Sequence, residues 1–273
     1  MENGYLAIGH VTQDLTPAGS VPGGTALFAA LTARALGEEP SILTSLGPGA
    51  DLGPLASVAM HVVPAGCSTT FENRQTDNGR VQRIRGVAAR LEVAAAARLA
   101  AERPAVVHLG PVADEVDPAI AALFPDAIVG VTPQGWMREW DASGLVGRKR
   151  WVAPAALAAR ARAAVFSSED VGGDEGAIDL VARAFAVTVV TEGARGARLL
   201  VRGRAPVHVP APPRNEVDPT GAGDIFAAAF FISLARGASP IAAAEAATLL
   251  AADSVTHQGV AWLLEREAGP LNG

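Results

Sequence analysis

Short apolar runs separated by alanine-rich stretches of helical length constrain this chain more than any other feature. Residues 5–11, 41–46, 105–109, 127–131, 163–166 and 187–191 read as strands. Most lack the polar alternation of a sheet with one wet face, which suits a sheet buried on both sides. Between and after them, residues 24–36, 91–101, 118–123, 174–185, 225–235 and 240–256 read as helices. Gly37 is placed to stop the first, and Ser239-Pro240 to start the last, as N-cap and first-turn residue. A β-α-β-α order implies a mostly parallel sheet with helices on both faces. With 273 residues, the chain suits one large α/β domain spanning 1–273.

Two regions depart from that rhythm. Residues 68–85 are rich in Thr, Asn, Gln and Arg, with Asp77-Asn78-Gly79 in the middle, and predict a hairpin. Its strands hold too few apolar residues for a core. Thr69, Phe71 and Asn73 share one face, and Val81, Arg83 and Arg85 share a face of the partner strand. Together with residues 12–20 this hairpin is expected to form a flap over one edge of the domain. Residues 196–209 alternate in a way that suits an antiparallel pair at a sheet edge.

Composition excludes several classes. With 22 Lys+Arg against 28 Asp+Glu, the net charge is −6, so no nucleic-acid partner is expected. Lys149 is the one lysine, and no G-x-x-x-x-G-K-[ST] exists, which excludes a P-loop nucleotide hydrolase. The single cysteine, Cys67, can build neither an internal disulfide nor a thiolate cluster. The five histidines show no ligand spacing. The start of the chain lacks a basic, apolar leader, and the apolar run 225–235 is too short to span a bilayer. A cytoplasmic protein with no membrane partner is expected, with monomer and homodimer both open. A dinucleotide-binding oxidoreductase is disfavoured, because no G-x-G-x-x-G follows the first strand.

The chemistry concentrates at residues 221–224. Gly221-Ala222-Gly223 opens an almost wholly apolar helix. The first-turn N–H groups of a helix have no acceptor within it, and the helix dipole adds positive charge there. Three small residues leave those groups uncovered, which makes a phosphate site. Asp224 in the same turn can take a proton from a hydroxyl attacking that phosphate. The plainer alternative is close packing at Gly-Ala-Gly and a simple first-turn charge at Asp224.

The full string Asp218-Pro219-Thr220-Gly221-Ala222-Gly223-Asp224 resembles the C-terminal signature of the ribokinase-like (PfkB) carbohydrate kinases. That resemblance implies that Asp224 is the catalytic base and that Gly221, Ala222 and Gly223 form the anion hole. It also implies a three-layer α/β/α sandwich with a mostly parallel central sheet and a small β lid, made here of about 12–20 and 68–85. Pro22-Gly23-Gly24-Thr25-Ala26 is similar to the family's N-terminal Gly-Gly motif, which assigns Gly23 and Gly24 to the acceptor. Asp14, closing the segment 9–14, is similar to the family's first-strand substrate-binding Asp. Thr191-Glu192-Gly193-Ala194-Arg195-Gly196 resembles a T-x-G-x-x-G turn against the ATP phosphates, assigning Thr191, Gly193, Gly196 and Thr220 to the nucleotide. Residues 254–259 fall where the family closes its adenine pocket. Asn73, on the lid hairpin, joins the expected acceptor contacts.

The departures from the family pattern are specific. Where many members carry Asn in the first helix, this chain has Phe28, preceded by Leu27. The N-x-x-E that organises Mg²⁺ through water aligns with Ser167-Ser168-Glu169-Asp170, which leaves Asp170 for that role with Glu169 as its rival. The D-x-N after a middle strand appears as Thr132-Pro133-Gln134, so Gln134 presents an amide to the substrate; Arg138 can reach a phosphate or carboxylate, or sit on a surface helix. Pro219 and Phe28 look like the myo-inositol kinase branch. Trp136, Trp140 and Trp151 are expected to pack in the core, with a substrate wall as the alternative, and residues 148–150 to form a solvated turn. The resemblance therefore implies phosphoryl transfer from ATP, with Mg²⁺, to a hydroxyl of a small sugar or polyol, myo-inositol preferred. The alternatives are a non-catalytic nucleotide or sugar sensor and a nucleoside kinase of the same fold.

Overall fold

The computed structural model describes residues 3–16, 19–76 and 79–266. A nine-stranded sheet runs in the order Val207–Val209, Ala197–Val201, Val187–Thr191, Ala163–Ser167, Ile128–Val131, Val106–Leu109, Gly4–Ile8, Glu39–Leu46, Ala59–Pro64. Every pairing is parallel except those of Ala197–Val201, which is antiparallel to both its neighbours.

Alternate side chains of each strand enter different cores, which is why the strands read as continuous apolar runs. Tyr5 and Ala7 face one layer, packing with Leu27, Phe226, Phe230 and Phe231. Leu6 and Ile8 face the other, with Leu109, Val129, Phe166 and Phe185. The first layer holds the helices Thr25–Ala35, Ala222–Ala235, Pro240–Ser254 and Ala261–Glu265; the second holds Glu175–Ala184 and several short turns. The helix Ala222–Ala235 is buried from Ile225 to Leu234, as its apolar circumference predicts. It lies so close to the sheet that a Cβ on Gly130 would come within 2.4 Å of the Phe231 ring.

A second, four-stranded sheet runs Gly19–Gly23, Thr12–Thr16, Thr70–Thr76, Gly79–Gly86. It joins the two segments expected to form the lid, through a parallel pairing of Asp14 with Phe71. The Asp77-Asn78 tip lies outside the described residues. His10 ties the base of this sheet to the body: its Nδ1 lies 2.6 Å from the Thr69 hydroxyl and its Nε2 2.9 Å from the Ala89 carbonyl.

The structure corrects several expected elements. Residues 91–101 do not form one helix. Leu91 bridges to Val116, a single α turn covers Val93–Ala96, and a 3₁₀ stretch covers Ala97–Glu102. The α turn has no side-chain N-cap, and so short a segment does not hold an α-helix by propensity alone. Pro118–Leu123 is likewise 3₁₀, started by Asp117, whose carboxylate accepts from Ala119 N–H. The edge strand Ala59–Pro64 and the ribbon Arg138–Trp140 with Val146–Arg148 carry no clear sequence signal. Residues 148–150 are not a simple solvated turn: Arg148 donates to the Glu169 carbonyl and Lys149 pairs with Asp114 at 2.7 Å. Trp136 is core and the half-buried Trp151 stacks on it with ring centres 5.3 Å apart, whereas Trp140 is exposed.

Candidate active site

The chain's order reverses around Gly4–Ile8, which pairs with Val106–Leu109 on one side and Glu39–Leu46 on the other. In open α/β sheets ligands bind at such a switch point, beyond the carboxyl ends of the strands. A cleft of about 650 Å³ lies there. Strand ends supply Thr132, Ser167 and Thr191; the lid supplies Thr12, Asp14, Phe71 and Gln82; the start of the helix Ala222–Ala235 closes the floor.

That helix start is built as its sequence requires. Gly221 is the N-cap, with φ +79°, a conformation that costs an L-residue free energy. A Cβ there would also lie 2.3 Å from the Phe28 ring. Phe28, where many ribokinase-like kinases carry Asn, thus lies directly beneath the anion corner. Ala222 N–H closes a turn onto the Pro219 carbonyl at 3.2 Å, so it is less available to a ligand than expected. The first helical bond runs from Ile225 N–H to the Gly221 carbonyl, which leaves Gly223 and Asp224 N–H without an acceptor inside the helix. Gly223 is exposed, and nothing would touch a Cβ there within 4 Å.

Asp218 fixes the approach to this corner. Its two oxygens accept from Thr220 N–H at 3.0 Å and Gly259 N–H at 3.1 Å. Burial pushes its pKa up, but hydrogen bonds from the Thr220 side chain and from the Thr220 and Gly259 N–H groups together outweigh burial and hold it below the ordinary carboxylate value.

Asp224 points into the cleft and accepts a hydrogen bond from the Thr25 hydroxyl at 2.7 Å. Burial pushes its pKa up to about 6. The Thr25 bond opposes that shift, nearby Asp170 adds to it, and Arg138 opposes it. The group is therefore ionised at neutral pH yet basic enough to accept a proton.

Across the cleft, Asp170 accepts from Ser167 N–H and from the Gln134 side-chain amide, both at 2.9 Å. Gln134 lines the cleft and gives one amide N–H to Asp170, a use the sequence did not suggest. Glu169 also lines the cleft. Among the described residues, no group of three or more His, Cys, Asp or Glu side chains could hold a metal ion directly. Arg138 lies at the start of a strand rather than on a surface helix. It donates to the Val112 carbonyl at 3.1 Å, with its guanidinium 5.7 Å from the centre of the Phe71 ring.

At the lid end, Thr12 donates to Asp14 at 3.0 Å. Gly24 lines the cleft, but Gly23 does not. Gly23 instead makes room: a Cβ there would come within 2.8 Å of an Asp14 carboxylate oxygen. Asn73 is also absent from the cleft wall and accepts from the Gln82 amide at 2.9 Å. Gln82, the cross-strand partner of Asn73, lines the cleft instead; alternation from Phe71 and its cross-strand partner Ile84 would have found it.

At the far end, Thr191, Gly193, Gly196 and Thr220 all line the cleft, as their motifs imply. Beyond them the wall turns apolar and small, with Ala194, Ala211, Pro212, Ala251, Ala252 and Val255, and with Arg214 and Glu216 at its edge.

Comparison with known proteins bears on the fold and on residues 162–265. Residues 162–265 match the model of the pfkB family carbohydrate kinase. A bifunctional protein HldE from Caulobacter sp. (strain K31) is 47% identical over 74 residues, 27% of this chain and 15% of that protein. The HldE of Caulobacter vibrioides is 38% identical over 93 residues, 34% of this chain and 19% of its own length. The chain thus spans less than a fifth of these curated relatives. Among solved structures, a pyrophosphate-dependent kinase of the ribokinase family, complexed with a pyrophosphate analog and myo-inositol, superposes with a TM-score of 0.73 at 18% identity, over 98% of this chain and 97% of that one. The ribokinase of Arabidopsis thaliana, complexed with ribose and ATP, gives 0.69 at 17% identity over 99% and 97%. The nucleoside kinase of Burkholderia thailandensis gives 0.70 at 19% over 93% and 92%. At these identities the superpositions establish the fold, and the family model covers the segment that carries the anion corner. Residues 162–265 thus match the pfkB family carbohydrate kinase, and the chain as a whole has the ribokinase fold.

Proposed function

We propose that this chain transfers the γ-phosphoryl group of ATP to a hydroxyl of a small sugar or polyol. The observation that carries the reading is Asp224, a carboxylate with a pKa raised to about 6, in the same helical turn as the exposed backbone of Gly223. A pure binding protein has no use for a tuned base at that place, which disfavours the sensor alternative.

The acceptor hydroxyl gives its proton to Asp224 as its oxygen attacks the γ-phosphorus. The bond from that phosphorus to the β-bridging oxygen breaks, and ADP leaves with the electron pair. Gly223 and Asp224 N–H, at the positive end of the helix, face the charge that spreads over the transferring group. Asp14 and Gly24 hold the acceptor from the lid side. The lid sheet closes over the cleft as part of the same catalytic unit and keeps water from competing as the nucleophile.

Asp170 and Glu169 would hold a hydrated divalent cation through water. Both Asp170 oxygens already accept protein hydrogen bonds, which suits an outer contact better than direct ligation. Bound there, Mg²⁺ supplies neutralisation of the donor's phosphate charge. The apolar far wall supports ATP over pyrophosphate, because a flat base gains from burial against Ala251, Ala252 and Val255 where a bare anion gains nothing. Phe28 and Pro219 support a polyol like myo-inositol.

The test is a coupled assay with Mg²⁺, either ATP or pyrophosphate, and a panel of myo-inositol, ribose, hexoses and inosine. Polyol-dependent ADP release is expected. Turnover with pyrophosphate alone would overturn the donor assignment. Phosphorylation of inosine alone would favour the nucleoside kinase, and ATP binding without any transfer would favour the sensor.

A further inference from the structure

Behind the acceptor wall lies a buried polar chain that the transfer step does not use. His108, on the strand Val106–Leu109, is 1% exposed. Its ring stands edge-on to Tyr5 and to Phe231, with ring centres 6.3 Å and 5.0 Å away. Its Nδ1 lies 2.7 Å from the Tyr5 hydroxyl and its Nε2 3.0 Å from the Thr132 hydroxyl. Thr132 in turn lines the cleft while itself only 6% exposed.

The direction of these hydrogen bonds follows from counting protons. Burial holds the His108 pKa down at about 3, so the ring is neutral and carries one N–H. Tyr5 is wholly buried, and burial raises its pKa, so the phenol keeps its proton. Among the described residues, His108 Nδ1 is the hydrogen-bond partner of that hydroxyl. Tyr5 must therefore donate to Nδ1; the reverse order would strand a buried O–H at a cost of about 1–3 kcal/mol. Nδ1 then accepts, so the ring proton sits on Nε2 and is donated to Thr132 Oγ1. With that oxygen already accepting, the Thr132 hydroxyl proton is left for the cleft.

We infer that Thr132 is a fixed hydrogen-bond donor to an oxygen of the acceptor substrate, with Tyr5 and His108 as positioning residues that set its direction. The inference rests on the phosphotransferase reading and adds a specificity contact to it. Thr132 selects an acceptor with an oxygen at that position, and a deoxy analogue lacking it loses the contact. The Tyr5–His108 pair acts only through proton placement, since neither side chain reaches the cleft wall.

Two measurements test it. In protein labelled with ¹⁵N at the imidazoles, long-range ¹⁵N–¹H spectra should show His108 neutral with its proton on Nε2; a proton on Nδ1 overturns the inference whatever the enzyme's activity. With the acceptor that gives the highest turnover in the panel above, Thr132→Val should raise the acceptor KM about tenfold, the effect of one lost hydrogen bond. The donor KM and kcat should stay within about twofold, and Thr132→Ser should restore the acceptor KM. Tyr5→Phe should raise that KM a few-fold in the wild-type background and not at all on Thr132→Val. A panel in which nothing is phosphorylated defeats the phosphotransferase reading and this contact with it. Phosphorylation with an unchanged acceptor KM in Thr132→Val defeats this contact alone.

Discussion

The two ends of the cleft are built by different means. The corner proposed to hold the phosphoryl donor is one continuous stretch, residues 218–224, in which backbone N–H groups, a left-handed glycine and a first-turn carboxylate follow in sequence. The other end, proposed to hold the acceptor, is gathered from the lid, the loop after Ile128–Val131 and the strand Arg138–Trp140, and it presents side chains: Asp14, Gln82, Thr132 and Arg138. A backbone device tolerates little change, because its atoms come with the chain. A side-chain wall can be changed position by position without moving the backbone. The contrast teaches that one end of the cleft depends on backbone placement and the other on the choice of side chains.

The sharpest way to break that contrast is Asp224→Asn. It should lower kcat by about 10²–10⁴-fold, with ATP affinity by calorimetry little changed. A variant with near-wild-type turnover would remove the base from the donor corner. Next is Gly221→Ala, which forces a Cβ into both an unfavourable φ and the Phe28 ring. It should cost about 1–3 kcal/mol in thermal unfolding and about 100-fold in turnover, since the neighbouring N–H groups move with it. Unchanged rates would mean that the corner does not depend on backbone placement. At the other end, Asp14→Ala should raise the acceptor KM by about 10–100-fold, the loss of charged hydrogen bonds, and leave the donor KM alone. If the donor KM rises equally, the two ends are not separate sites.

Acidity gives smaller effects. Asp224 must be ionised to act, so kcat/KM should fall as pH drops through about 6. Arg138→Gln removes a cation that stabilises the ionised form and should move that limb to higher pH; a limb that stays put would exclude Arg138 from the base's environment. Linkage carries the same shift into stability. The folded pKa lies above the ordinary value of 3.8, so stability is lost as pH rises from about 4 through about 6, and the whole penalty applies at pH 7. Asp224→Asn should therefore stabilise the fold at pH 7 by about 1 kcal/mol, allowing for solvent in the cleft, or about 2–4 °C in Tm. The gain should vanish near pH 4. A lower Tm at neutral pH would contradict the desolvation of this carboxylate.

Much of the molecule is legible in the sequence, and the limits follow the same division. The parallel strands could be read because their apolar runs answer to burial on two faces, as Tyr5 and Leu6 show by entering opposite cores. Gly221 to Asp224 could be read because a helix start presents its N–H groups whatever surrounds it. Residues 91–101 could not, because alanine-rich composition does not distinguish a continuous helix from a bridge followed by a 3₁₀ turn; docking of Leu91 beside Val116 made that choice.

The acceptor side shows the same division at single residues. Gly23 looked like a substrate contact but serves as space beneath Asp14, and Asn73 yields its place to Gln82. Gln134 keeps its amide but turns it to Asp170. The sequence by itself determined the layered α/β architecture and the anion corner, since burial period and helix polarity are local properties of the chain. Tertiary structure alone decided which polar side chains face the cleft and that Tyr5, His108 and Thr132 join in one hydrogen-bonded chain. Those outcomes depend on strands 103 and 24 residues apart meeting in one sheet, and no local pattern encodes such a meeting.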